Sequence, residues 1–389
     1  MPLHDLLRGG QHFGTGQPPS PSQILSDSAT QREYRFQSEF KIPRFAEGLG
    51  VDMLLAMRDD LVRGAANAVH VCLGIGPSDR VVVIEDRGRS SVAAAIKGQV
   101  EVTGAACQSW VMEDIVTRPA REFPTKLVDE ITQFKPTASY YVGEGMSGEL
   151  AFRQPMLQFL VRELKCRHGH MIGIDENLMR DGMAADYEEI YRVTHQVYDI
   201  VKTAAKIEVY TSLGTELVAH FSPLRRWIPC DGRYHEQGRW GNLPEGEVFT
   251  APAEIEGLLV GQEMGDHFAA DYGLFEEPVR IRISGGRAVG VEMAGFPHLE
   301  AEIKAYLGQS PNSNRVGEFA IGTNTGLTKI VGNFLQDEKF PGVHVAFGDP
   351  YGHETGADWS APSHVDVLAS GATVLVDGRK IMEGGRFLV

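Results

Sequence analysis

A short stretch near the C-terminus, residues 344–366, concentrates side chains that can bind metals or transfer protons. It contains three histidines, one tyrosine and four acidic residues: His344, His353, His364, Tyr351, Asp349, Glu354, Asp358 and Asp366. His364 and Asp366 stand two apart in the alternating run SHVDVL, which is typical of a β-strand. Alternate side chains of a strand leave the same face, so this imidazole and this carboxylate can bind one ion. The alternative is a surface loop whose polar residues meet only solvent.

Three further candidate ligands lie in other predicted strands. His344 belongs to the run VHVAF, Glu247 to NLPEGEVFTAP and Glu318 to RVGEFAIGTN. Glutamate is unusual in an apolar strand unless its charge is paired or bound to a metal. Imidazoles and carboxylates suit Zn, Fe, Mn or Co, and five such ligands suffice for two divalent cations that share a carboxylate and a water. Alternatively, both glutamates lie at strand ends in solvent.

The composition limits the class of protein. A chain of 389 residues predicts two domains. The formal net charge of −15 argues against nucleic-acid binding, which requires basic patches. The four cysteines are scattered without CxxC spacing, so neither a zinc knuckle nor a disulfide framework is indicated, and a reducing cytoplasm is the expected compartment. We expect no signal peptide and no membrane span, because no long apolar run occurs.

The order of the predicted elements indicates an α/β fold in two parts. Residues 1–50, rich in Gly, Pro, Ser and Gln, are predicted to be a flexible arm and linker. Residues 51–210 alternate helices and strands, which predicts an α/β domain with a mostly parallel sheet covered on both faces. Residues 211–389 contain short strands and Gly-Gly or Asp-Gly turns, which predicts a β-rich α+β domain that binds the metals. The GIG at residues 74–76 precedes its strand and lacks a third glycine, so we expect no dinucleotide cofactor.

The histidines outside the ligand segments receive no role from the sequence. His168, His170, His195, His220 and His235 stand apart from any metal-ligand spacing. We expect them to be ordinary surface or half-buried residues.

Four segments together resemble the signature segments of aminopeptidase T and aminopeptidase S type metallopeptidases. They are NLPEGEVFTAP, GEFAIGTN, HVAFGDPY and SHVDVL, in that order. The likeness covers most of the chain after about residue 55. It implies an α/β N-terminal domain, a β-rich catalytic domain, a homodimer, and removal of N-terminal amino acids with two divalent metals such as Zn, Co or Mn. The N-terminal arm is longer than in this family, and the stretch between His344 and His364 is shorter, which leaves the substrate open.

The resemblance assigns roles to six residues. Its metal ligands fall on Glu247, Glu318, His344, His364 and Asp366, and its tyrosine falls on Tyr351. The mechanism it implies uses a water activated between two cations, with Glu247 or Glu318 taking up the proton. Tyr351 is expected to help stabilise the oxyanion. The substrate is expected to be a short peptide or a related small amide.

Two other classes of function remain open from the sequence. Ring-cleaving dioxygenases of hydroxylated pyridines look like distant relatives of this fold and hold one Fe(II), for which His344, His364 and Asp366 would form the facial triad. In those relatives a histidine replaces the position of Glu318, and the peptidase ligand set kept here favours hydrolysis. A binding protein without catalysis has no need of the full ligand set.

Overall fold

The computed structural model describes residues 59–389. The arm and linker predicted for residues 1–50 lie outside the described residues, as does the beginning of the helix predicted from residue 51. Within residues 59–389, no helix combines the length and apolar character that crossing a bilayer requires.

The N-terminal part alternates strands and helices, as the sequence predicts. Its elements are α1 (Asp59–Ala66), β1 (Arg80–Glu85), α2 (Ser90–Thr103), β2 (Ala106–Val111), α3 (Thr125–Phe134), β3 (Ala138–Gly143), α4 (Leu150–Leu157), β4 (Arg167–Ile172), α5 (Glu176–Arg180) and α6 (Tyr187–Val201). The strands form a parallel sheet in the order β2-β1-β3-β4, and a later strand, β8 (Trp240–Asn242), extends it beside β4.

Strand β1 shows why this sheet is covered on both faces. Val81 and Val83 pack with residues of α1, α2 and α5 on one face. Val82 and Ile84 pack with residues of α3 and α4 on the other. Because alternate side chains point to opposite faces, a continuous apolar run satisfies two hydrophobic layers at once.

The C-terminal part contains two antiparallel sheets. Its elements are β5 (Lys206–Tyr210), β6 (Glu216–His220), β7 (Ile228–Cys230), β9 (Glu247–Thr250), β10 (Glu254–Gly261), α7 (His267–Tyr272), β11 (Val279–Ser284), β12 (Arg287–Glu292), α8 (Pro297–Leu307), β13 (Val316–Gly322), α9 (Phe334–Asp337), β14 (Gly342–Gly348), α10 (Gly352–Thr355), β15 (His364–Ser370), β16 (Thr373–Val376), β17 (Arg379–Glu383) and β18 (Arg386–Phe387). One sheet has eight strands in the order β12-β11-β10-β6-β5-β16-β17-β18, and the other has five in the order β15-β14-β13-β9-β7. A mixed α/β fold with a parallel N-terminal sheet and a β-rich C-terminal part is thereby confirmed.

Two strands cross the boundary predicted at residue 210. Strand β5 pairs with β6 and β16 in the eight-stranded sheet, although it directly follows the last helix of the α/β region. Strand β8 returns to the parallel sheet after three C-terminal strands. Short strands such as these carry little apolar pattern, so the sequence does not reveal which sheet they join. The division into domains at residue 210 stays a prediction.

A single hydrophobic core joins the two antiparallel sheets and helices α6 and α8. Phe319 of β13 is fully buried in it and makes edge-to-face ring contacts with Phe221 and Trp227. This packing fixes the five-stranded sheet from one side and leaves its other face for polar side chains.

Replacing Phe319 with alanine is expected to lower the free energy of unfolding by about 3–5 kcal/mol, because the change removes buried ring surface and leaves a cavity. The measurement is urea unfolding of the metal-free protein. The exposed Val289, changed to alanine, is the control and should shift the free energy by less than about 0.5 kcal/mol. Equal effects of the two changes would contradict this assignment of the core.

Candidate metal centre

Polar side chains gather on the face of the five-stranded sheet that is turned away from the core. They come from four strands: Glu247 from β9, Glu318 from β13, His344 from β14, and His364 and Asp366 from β15. These are the five ligands predicted from the sequence. Four are buried, and the side chain of His364 is 17% exposed.

The strand register explains why these groups meet without colliding. Ala346 lies opposite both Glu318 and Asp366, and Ala320 lies opposite His344. Residues directly opposite each other in an antiparallel pair share a face. The small alanines therefore separate the polar side chains and leave space between them.

A β-bulge aims Glu318 onto this face. The pairing between β13 and β14 shifts between Val316 and Glu318. The intervening Gly317 lies so close to the next strand that a Cβ there would stand 2.7 Å from the carbonyl oxygens of Gly348 and Asp349. The extra residue changes which side chain faces inward, and only glycine fits at that point.

The distances suit ligands around an ion better than hydrogen-bonded pairs. His344 Nε2 lies 3.4 Å from Glu247 Oε2 and 3.4 Å from Glu318 Oε1. His364 Nε2 lies 3.6 Å from Glu318 Oε2 and 3.5 Å from Asp366 Oδ1. All four separations exceed the usual range for N–H···O bonds. Moreover, the buried Glu247 Oε2 has no hydrogen-bond partner, an expensive state that a bound cation would relieve.

The ligand atoms form two compact sets that share one residue. In one, atoms of Glu247, Glu318 and His344 all lie within 4.8 Å of one another. In the other, atoms of Glu318, His364 and Asp366 do so. The two oxygens of Glu318 face different histidines, so the two sets meet at this carboxylate.

The orientation of His364 is fixed from behind. Its Nδ1 lies 2.8 Å from the carbonyl oxygen of Asp349, which can only accept. Nδ1 therefore carries the proton and donates it, which leaves the lone pair of Nε2 directed at the two carboxylates. Metal-binding histidines usually donate their other ring N–H in this way, which fixes the orientation of the ring.

The structure adds three charged residues that the sequence analysis missed. Lys339, 1% exposed, places its ammonium 3.1 Å from Glu245, 2.8 Å from Glu247 and 2.9 Å from Glu338. Glu338 also forms a compact set with His344 and Asp366, within the same 4.8 Å. In the sequence Glu338 and Lys339 belong to the run QDEKFPG, which reads as an ordinary solvated turn, and Glu245 lies in the loop before β9. Only the burial of its Asp-Glu-Lys segment in the structure distinguishes this run from a solvated turn.

The concentration of carboxylates dominates the electrostatics. Burial lowers the pKa of His344, but the adjacent carboxylate of Glu318 and the charges of Glu247 and Asp366 outweigh it and raise the pKa to about 9. Burial also opposes the charge of His364, yet Asp366 and then Glu318 raise its pKa to about 10. Without metal ions, the site therefore holds protons to offset its negative charge.

Tyr351 lies beside the second ligand set. Its ring centroid is 4.6 Å from that of His364 and 6.1 Å from that of Phe249. The residue has a left-handed backbone with φ of 48° and precedes the one-turn helix α10. Its amide donates to Asp349 Oδ1 at 2.9 Å, which fixes the loop. The side chain is 38% exposed and can contact a bound substrate.

The remaining polar residues of 344–366 do not enter the ligand sets. His353 points outward, with a side chain 63% exposed, and lies 3.3 Å from Glu354. Both belong to α10, whose peptide oxygens bind Arg226 instead. Residues 344–366 therefore include both candidate ligands and ordinary loop residues.

Comparison with known proteins agrees with this site. Residues 175–366 match the model of a family described as thermophilic metalloprotease (M29), which confirms the resemblance drawn from the four sequence segments. This range contains all five candidate ligands. No curated protein sequence matches the chain.

Two solved structures share the fold. Wild-type AmpT from Thermus thermophilus is 17% identical with a TM-score of 0.64, over 85% of this chain and 100% of that one. The 2,5-dihydroxypyridine dioxygenase from Pseudomonas putida KT2440 is 16% identical with a TM-score of 0.61, over 85% of this chain and 97% of that one. At these identities the likeness establishes the architecture, and the residues of the site must decide the chemistry.

Changing Glu318 to glutamine is expected to separate two effects of its charge. Metal-free protein should lose no thermal stability, because repulsion among the buried carboxylates decreases. The rise in Tm on adding Zn²⁺, Mn²⁺ or Co²⁺ should largely disappear, because both ligand sets lose the shared carboxylate. Thermal unfolding with and without each ion provides the measurement.

Glu254→Gln is the matched control, since Glu254 is exposed in β10 away from the site. It should retain the full metal-dependent rise in Tm. An unchanged rise in the Glu318 variant would show that this residue binds no ion.

Proposed function

We propose that the protein is a metal-dependent aminopeptidase acting on short peptides. Residues 175–366 match the model of the thermophilic metalloprotease (M29) family, which supports this proposal. The observation that carries the proposal is the convergence of five buried or half-buried ligand side chains from four strands. In this proposal Glu247, Glu318, His344, His364 and Asp366 hold two divalent ions, with Zn, Co and Mn as the candidates.

Charge balance supports two ions rather than one. Glu247, Glu318 and Asp366, together with Glu245 and Glu338, carry five negative charges when ionised, and Lys339 supplies one positive charge. With neutral histidines the formal charge is −4, which two divalent cations would offset. A buried excess charge of this size is strongly unfavourable without counter-ions.

Divalent ions bound there would lower the pKa of a coordinated water and polarise the scissile carbonyl. The protein must then supply a group that takes the proton from this water. Glu318 has both oxygens directed at histidines, and Glu247 has one oxygen beside His344 and the other beside Lys339. We assign the proton transfer to Glu338, which lies near His344 and Asp366 but outside the sheet. Its carboxylate accepts the proton from the attacking water and delivers it to the departing amine.

The other contributions come from groups around the same face. The hydroxyl of Tyr351 donates to the oxygen that becomes negative as the carbonyl is attacked. Lys339 holds Glu247 and Glu338 in one orientation, so neither carboxylate must reorganise during the reaction. Burial of the ligands limits access to a chain end, which favours an N-terminal residue over an internal peptide bond.

A mononuclear Fe(II) dioxygenase is the alternative on this fold. Such a centre would use His344, His364 and Asp366 around one ion. Among the five proposed ligands, the two histidines belong to different compact sets, and both of these sets contain Glu318. The carboxylate between the imidazoles favours the two-ion hydrolase.

The family resemblance also implies a homodimer, and the sequence implies a cytoplasmic location. Both remain predictions. Sedimentation velocity of the purified chain tests the first.

Metal analysis combined with a substrate panel tests the proposed function. We expect two divalent ions per chain, hydrolysis of aminoacyl anilides, and no hydrolysis after N-acetylation of the same compounds. Chelation should abolish the activity, and added Zn²⁺, Co²⁺ or Mn²⁺ should restore it. One iron per chain with oxygen uptake on dihydroxypyridines would replace this function with the alternative.

Glutamine variants of the two candidate bases test the assignment of the proton transfer. Glu338→Gln should reduce kcat by about 10²–10⁴-fold while both ions remain bound, because a general base is lost and no ligand is removed. Glu318→Gln should lose metal together with activity. Full activity of the Glu338 variant, with loss in a metal-loaded Glu318 variant, would return the role to Glu318.

A further inference from the structure

A second group of buried polar residues lies along the adjacent parallel strands β3 and β4. His168 and His170 of β4 are 0% and 3% exposed, so the expectation that they are surface or half-buried residues is wrong. Tyr141 of β3 is also fully buried and stacks on His170 at 5.1 Å.

A chain of hydrogen bonds runs through this group to an arginine. Ser139 Oγ lies 2.8 Å from His168 Nδ1, and His168 Nε2 lies 3.3 Å from His170 Nδ1. Arg153 Nη1 approaches His170 Nε2 at 3.5 Å. Because a guanidinium can only donate, His170 accepts at Nε2 and donates from Nδ1 to His168. Burial lowers the pKa of both histidines, so they remain neutral and supply no charge to Arg153.

Arg153 is a half-buried cation without a carboxylate partner. Its buried Nε has no hydrogen-bond partner, and neither does the buried hydroxyl of Tyr141. No acidic group of residues 59–389 lies within ion-pair distance of its guanidinium. Nearby Arg118, in contrast, contacts Glu149, Glu113 and Asp86. Burial consequently lowers the pKa of Arg153.

The same arginine lies near the strand that carries Asp366. The charge of Asp266 acts on Arg153, yet that carboxylate accepts a hydrogen bond from Tyr306. Asp266 directly follows Gly265, whose amide donates to the Asp366 carbonyl at 3.0 Å. A Cβ on Gly265 would lie 3.4 Å from Asp366 Oδ2. Asp266 and Gly265 therefore connect the surroundings of Arg153 to the strand that carries Asp366.

We propose that Arg153, assisted by the Tyr141 hydroxyl, binds the C-terminal carboxylate of a short peptide whose N-terminus lies at the metal centre. This inference rests on the proposed aminopeptidase function. Arginine matches a carboxylate with two parallel N–H···O bonds, and a phenol can add a third donor. The ligand offsets the unpaired positive charge, and the distance between anchor and metals sets the length of the preferred peptide.

Peptides with and without a terminal charge test the proposal. The loaded wild-type protein should hydrolyse leucyl-glycine with a kcat/KM about 10- to 100-fold above that of leucyl-glycinamide, mainly through KM. Arg153→Gln should remove this preference while leaving leucyl-glycinamide and leucyl anilide unaffected, which also shows that the variant folds. Arg192→Gln is the control, because Arg192 is an exposed arginine of α6 paired with Glu189.

Calorimetry with metal-free protein gives a readout independent of turnover. N-acetyl-leucyl-glycine should bind more tightly than its amide, and Arg153→Gln should abolish the difference. Equal hydrolysis of the acid and the amide by the wild-type protein would overturn the anchor. Binding of inorganic phosphate but of neither peptide, lost in Arg153→Gln, would overturn it too, because Arg153 would then bind only an adventitious anion. Failure to hydrolyse leucyl anilide would instead contradict the aminopeptidase function, because that substrate has no carboxylate.

Discussion

The structure depends on keeping many like charges together inside protein. Five carboxylates and two imidazoles occupy one sheet face and its adjoining loop, where desolvation and mutual repulsion both oppose ionisation. A fold tolerates such a cluster only if counter-charges are bound there. The metal-binding interpretation follows from this requirement, and the raised pKa values of His344 and His364 express it in the absence of ions.

Rigidity of the surrounding sheet makes the cluster possible. The strand register, the two alanines between the ligands and the bulge at Gly317 fix where each side chain emerges. On the opposite face, the Phe319 core holds the sheet in place. Within residues 59–389, Lys339 is the only lysine that forms ion pairs with these carboxylates, and it orients Glu247. Ligand geometry is therefore determined by backbone pairing rather than by flexible loops.

The sequence predicts most of this centre because strand alternation is a short-range signal. The pair His364 and Asp366 can be placed on one face from two-residue spacing alone. Glu338 and Lys339 escape prediction, because their burial depends on long-range contacts of the 333–339 segment with the turn after β4 and with Gly182 after α5. Likewise, the burial of His168 and His170 requires knowing that β8 covers the edge of the parallel sheet. Such tertiary pairings produce no recognisable periodic pattern of hydrophobic residues in the sequence of a short strand.

The most direct test is anomalous scattering from crystals grown with Zn²⁺ or Co²⁺ and measured at the absorption edge of the metal. The account predicts two peaks per chain on opposite sides of the Glu318 carboxylate, one bounded by Glu247 and His344 and the other by His364 and Asp366. A single peak between His344 and His364, or no peak on this face of the sheet, would contradict it.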